Sequence, residues 1–145
     1  MPNNSPIYSR VGDIQWSTVN VTTQNTQNTT TELTGGTSYL VFSADTTNGG
    51  YVQRIRFKPQ NGSGVNNIAT VARVWLNDGS TITDPTNNTL IDEISLPSST
   101  GSNTAALPVY ELPLNFAMPP GYALYVTLGT TVAGGYRVTV IGGKY

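Results

Sequence analysis

Histidine and cysteine are both absent from the 145 residues, which removes most of the chemistry open to a small protein. Without imidazole there is no Ser–His or Cys–His pair, and the commonest general base and metal ligand are gone. Without thiols there is no disulfide and no thiolate metal site. Eight carboxylates, seven Lys or Arg side chains and many hydroxyls remain. Asp92 and Glu93 are adjacent, so on a strand they point to opposite sides and cannot work as a pair. Glu93 and Glu111 could approach across a sheet at the separation of glycosidase carboxylates, but carboxylates in such runs are ordinarily solvated. The loop from Asn77 to Asn88 is rich in oxygen donors for calcium. Its spacing misses the EF-hand pattern, the closing Glu is lacking, and turn formation accounts for the same residues. The sequence therefore predicts no catalytic residue, no cofactor and no metal: the chain is not expected to be an enzyme.

The residues that do form a pattern are basic. In Tyr51–Lys58 the cations Arg54, Arg56 and Lys58 alternate with apolar residues, and in Thr70–Asn77 Arg73 shares a side with Trp75. If the two runs pair in one sheet, four of the seven positive charges line one face beside an indole. Arg and Trp are enriched where proteins meet, so Arg54, Arg56, Lys58, Arg73 and Trp75 are candidate protein-contact residues. The bland alternative is a solvated face. Nucleic acid fits less well, because the row is short and the net charge is −1. A second candidate is the N-terminal arm, where Pro2, Ile7 and Tyr8 could dock on a neighbour instead of fraying.

The elements that must carry these residues read as strands. No long 3.6-residue period occurs, whereas period-2 alternation recurs, as in a sheet with one dry face. Tyr51, Ile55 and Phe57 are predicted to face the core, as are Ala72, Val74 and Leu76. The same holds for Tyr122–Leu128 and Tyr136–Val140. Further strands are expected at Ile14–Val21, Ser38–Ser43, Thr89–Leu96 and Val109–Asn115, about eight in all. Pro113 marks the last of these as an edge or bulged strand. Gly- and Asn-rich turns such as Asn48-Gly49-Gly50 and Asn61-Gly62-Ser63-Gly64 separate the runs. Thr22–Gly36, an Asn/Thr tract with nothing expected to anchor a core, reads as a solvated loop or loosely paired edge strand, with a partner-bound extended strand as the alternative, and Ser98–Ala106 as a long loop. No internal boundary is visible, so residues 1–13 form an arm and 14–145 a single domain. The fold class is all-β: a two-sheet antiparallel β-sandwich, jelly-roll-like, with an immunoglobulin-like sandwich as the alternative.

Composition agrees. Charged residues make up 10% against a usual ~25%, and the difference is filled by 22 Thr and 14 Asn, a strand former and a turn former. So little charge argues against DNA or an anionic membrane as a generic partner, and protects poorly against association. No run approaches the ~18 apolar residues of a membrane span. The start Met1-Pro2-Asn3-Asn4-Ser5 lacks the features of a signal peptide, so synthesis in a cytoplasm is expected.

Several strings resemble small structural proteins of tailed bacteriophages: Val71-Ala72-Arg73-Val74-Trp75-Leu76-Asn77-Asp78-Gly79, Glu111-Leu112-Pro113-Leu114-Asn115, Pro119-Pro120-Gly121-Tyr122, and the ending from Gly135 to Tyr145. The resemblance spans roughly residues 38–145 and is nearest in kind to jelly-roll head decoration, or cement, proteins. It implies a virion component on the capsid surface that binds the major capsid protein lattice as a homo-oligomer, dimer or trimer, with no nucleic acid or membrane partner. The alternatives are another virion part (head–tail connection, tail or fibre) and a carbohydrate-binding sandwich that stacks sugars on Trp16, Trp75, Tyr51 or Tyr110.

Overall fold

A computed structural model describes residues 11–27, 33 and 36–145. The first ten residues, with Pro2, Ile7 and Tyr8, lie outside the described residues. Among the described residues ten strands follow in order: β1 (Val11–Trp16), β2 (Tyr39–Ser43), β3 (Gly50–Pro59), β4 (Asn66–Asn67), β5 (Thr70–Asn77), β6 (Asn88–Leu96), β7 (Ser99–Thr100), β8 (Tyr110–Met118), β9 (Ala123–Leu128) and β10 (Tyr136–Lys144). Eight of them form two four-stranded antiparallel sheets. Sheet A runs β1-β10-β3-β8 and sheet B runs β2-β9-β5-β6, while β4 and β7 make a small ribbon. Only β5 and β6 are consecutive long strands that pair with each other; every other connection between long strands crosses from one sheet to the other. That interleaving is a jelly roll, not the immunoglobulin pattern in which hairpin neighbours stay within a sheet.

Alternation sorts the side chains. Val52, Ile55 and Phe57 of β3, Val74 of β5, Leu124 and Val126 of β9, and Val138 and Val140 of β10 meet in one core between the sheets. Burying a side chain of this size contributes about 1.5–3 kcal/mol, so the dry face of each strand fixes its orientation. The expected inner row of β3 needs a correction. Gln53 is an extra residue against β10, whose Ile141 and Gly142 pair with Arg54 and Val52. The bulge reverses the alternation, so Val52 joins the core and Tyr51 joins the arginines outside. Gly142 is required there, because a Cβ would collide with the Tyr51 carbonyl oxygen. The edge placement expected from Pro113 holds: β8 is the outer strand of sheet A, with a register shift between Val52 and Arg54.

Two further boundaries move. β1 starts at Val11, so residues 11–13 belong to the sandwich and not to the arm. It also ends at Trp16, short of the expected Val21, which forms only a bridge to Tyr136. On this side Gln15 ties the sheets together, its amide donating to Ser43 O and accepting from Ser43 N–H, both at 2.9 Å. The Asn/Thr tract is anchored after all. Leu33 is fully buried and its N–H bonds Ile82 O, while Asn25 is buried and bonds Leu128 O. Leu128 opposes Ala72 near the start of β5, and Ile82 follows the end of that strand. The tract is therefore held at opposite ends of sheet B.

Candidate functional site

The predicted basic row exists, but with different members. Core residues on β3 and β10 leave the intervening side chains pointing outward from sheet A, and the strand register stacks them into rows. Trp16, Thr139, Arg56 and Glu111 form one row, Ile14, Ile141, Arg54 and Pro113 the next, with Arg137 opposite Lys58 on the far side of the first. Residues directly opposite on a sheet face are close enough to interact. Glu111 sits between two arginines, 2.9 Å from Arg56 Nε and 3.7 Å from Arg54 Nε. Lys58 Nζ donates to Leu107 O and Arg137 Nη1 to Ser17 O, both at 2.9 Å, which orients the two cations while leaving their charge in place. Trp16 and Ile14 are 56% and 54% exposed. The apolar margin continues past Trp16 into a cleft of about 430 Å³ lined in part by Val19, Tyr39, Leu40 and Val41.

Arg73 and Trp75 do not belong to this face. They lie on β5, in the other sheet, so the expected pairing of the two basic runs is wrong: β3 pairs with β10 and β8, and β5 with β9 and β6. Ala72 and Val74 fill the core, so Arg73 and Trp75 point outward from sheet B. Trp75 is nevertheless 0% exposed, and its Nε1–H donates to the hydroxyl of Thr127, also fully buried, at 2.9 Å. Arg73 pairs with Glu93 at 3.4 Å and its side chain is 11% exposed. Period-2 reading identified the outward side of β5 correctly but carries no information about what covers a face.

The other candidates separate as well. Glu93 and Glu111 sit on the outward faces of opposite sheets, with the core between them, so they share no cleft. In the oxygen-rich loop, Asp78 accepts from Ser80 N–H and Asp84 from Thr86 N–H and Oγ1. The Thr86 N–H holds the Asp84 carboxyl below the ordinary carboxylate range. Both carboxylates act as turn and cap acceptors. Of the four aromatic residues considered for sugar stacking, Trp75 is buried and Tyr110 packs against the core. Trp16 and Tyr51 share the open face, but two strands and four to five residues apart, roughly 16–19 Å at ordinary strand spacings.

Sequence reasoning missed Ile14, Ile141, Arg137 and Glu111 as parts of one surface, and placed Trp16 only among the sugar-stacking candidates. Each lies in a recognisable alternating run, but only the pairings of β1 with β10, β10 with β3 and β3 with β8 bring them together. No protein-family model matches this chain, and no curated protein matches it.

Proposed function

We propose that the chain is a virion structural protein, a capsid decoration or cement protein that binds the outer surface of the major capsid protein lattice and stabilises the head. The observation that carries this reading is the outward face of sheet A, where two large exposed apolar side chains and four half-buried cations share a rigid four-stranded sheet. A stiff surface loses little conformational freedom on binding, and Trp and Arg are the side chains that most often dominate interface energies. The jelly-roll architecture and the resemblance to phage head proteins support the same reading.

Magnitudes favour a repetitive target. Four strands about 4.8 Å apart and about eight residues long give a face of roughly 500 Å². A stable interface uses about 800 Å² per partner. Burying about 500 Å² on each partner, with about 57% of it apolar, gains about 14 kcal/mol at about 25 cal/mol per Å², within the ~4–15 kcal/mol that association itself costs. One such contact is marginal, whereas copies linked to one another on a lattice act together.

The deciding experiment counts the chain in purified particles by quantitative mass spectrometry and compares the heat tolerance of particles with and without it. Hundreds of copies and a lower disruption temperature on its loss are expected. About 6 or 12 copies would reassign it to a connector or tail, and absence from particles would end the proposal.

A further inference from the structure

We infer that the outward face of sheet A receives an acidic protein surface with an apolar margin, so that the chain lies with sheet A against its partner and sheet B toward solvent. This rests on the reading of the chain as an assembly component and adds the face, the orientation and the partner's chemistry.

The argument is one of charge and its distribution. Arg54, Arg56, Lys58 and Arg137 against Glu111 leave the face at +3 in a chain whose net charge is −1. The rest of the molecule therefore sums to −4, so the positive charge is concentrated on this one face, while Arg73 and Glu93 cancel on the outward side of sheet B. Such polarity orients a protein during its approach and discourages contact through the wrong side. It also defines the complement: carboxylates opposite the arginine rows, and an apolar group opposite Trp16, Ile14 and Ile141.

The composition of the face selects protein over a phosphate polymer. Beside the cations the face carries Trp16 and Ile14, 56% and 54% exposed, an apolar area that side chains of a protein can cover and a phosphate backbone cannot. Nucleic-acid affinity also grows with the number of phosphates neutralised, and here a −4 remainder opposes that polymer.

The test uses shells of the encoding virus assembled without this chain, titrated with the full chain across a range of NaCl concentrations. The triple variant Arg54→Gln/Arg56→Gln/Lys58→Gln is expected to bind at least tenfold more weakly and with a shallower salt dependence. Trp16→Ala should lose about as much without changing the salt slope. Ser95→Glu, a charge added to the outward side of sheet B, should bind within twofold of the unmodified chain. Lys58→Gln/Arg137→Gln spares the Glu111 cluster and reports the same change in slope independently of that cluster's part in folding. Equal binding and slope for both multiple variants would overturn the inference while leaving the decoration reading intact. So would a loss in Ser95→Glu as large as in the triple variant. Binding of a 30-base-pair duplex or of phosphatidylglycerol vesicles as tight as binding to shells would overturn the assignment to protein. Failure of the unmodified chain to bind shells at any salt concentration would remove both readings together.

Discussion

Trp16 on β1 and Trp75 on β5 both point away from the sandwich core, one from each sheet, yet the first is 56% exposed and the second 0%. The arginines divide the same way. The side chains of Arg54 and Arg56 are 39% and 41% exposed on sheet A, and that of Arg73 is 11% exposed on sheet B. The two outward faces thus have different uses for the same residue types. Sheet B has closed over its aromatic and cation, and their burial already contributes to folding. Sheet A leaves them in water, so their burial remains available to a partner. An indole's free energy of burial is gained once, at folding or at assembly.

The sharpest test of this division is to truncate each indole. Trp75→Ala removes a fully buried side chain and its hydrogen bond to Thr127, and should lower stability by about 3–5 kcal/mol, or roughly 10 °C in melting temperature for a domain of this size. Trp16→Ala should change stability by no more than about 0.5 kcal/mol and act on assembly instead. Urea denaturation of the two variants measures the contrast, and similar losses would erase it. Next in size is Leu33→Ala. If the Asn/Thr tract is a working part of sheet B's closed side, removing its one described buried apolar side chain should cost about 2–4 kcal/mol, within the range for buried leucines. An unchanged denaturation midpoint would return the tract to the status of a solvated loop.

These outcomes bear on what the sequence discloses. The strands of the sandwich were legible because period 2 is imposed locally by the backbone, and Pro113 announced an edge by lacking a donor. The bulge at Gln53 was not legible, since one extra residue reverses inside and outside without altering composition, and Tyr51 looks as apolar as Val52. The site was half legible. Arg54, Arg56 and Lys58 alternate within one strand, so their common face follows from the chain alone. Trp16, Arg137 and Glu111 join them only through pairings between residues about 55 to 125 positions apart, fixed by how the whole core packs. Trp75 was misplaced for the same reason: its side of β5 is a local property, but its burial depends on chain that returns from elsewhere.

The smallest predicted effect separates the two faces most finely, through their carboxylates. Glu93 pairs with Arg73 at 3.4 Å, and Glu111 pairs with Arg56 at 2.9 Å, with both acids nearly half exposed. By distance alone Glu111 should matter more. Burial reverses the order, because the Arg73 side chain is 11% exposed against 41% for Arg56, so Glu93→Gln leaves a shielded cation without a countercharge. A fully buried pair broken in this way loses about 3–5 kcal/mol; with one partner half in water, about 1–2 kcal/mol is expected. Glu111→Gln breaks an exposed pair and should cost no more than about 0.5 kcal/mol, less still at high salt, where the surface pair is screened. Denaturation of both variants at low and high NaCl reads the order, and a larger loss for Glu111→Gln would mean that distance outweighs burial here. The same substitution raises sheet A's outward face from +3 to +4, so it should strengthen association with an acidic surface while leaving the fold nearly unchanged. On sheet B the equivalent change should weaken the fold and leave association as it was.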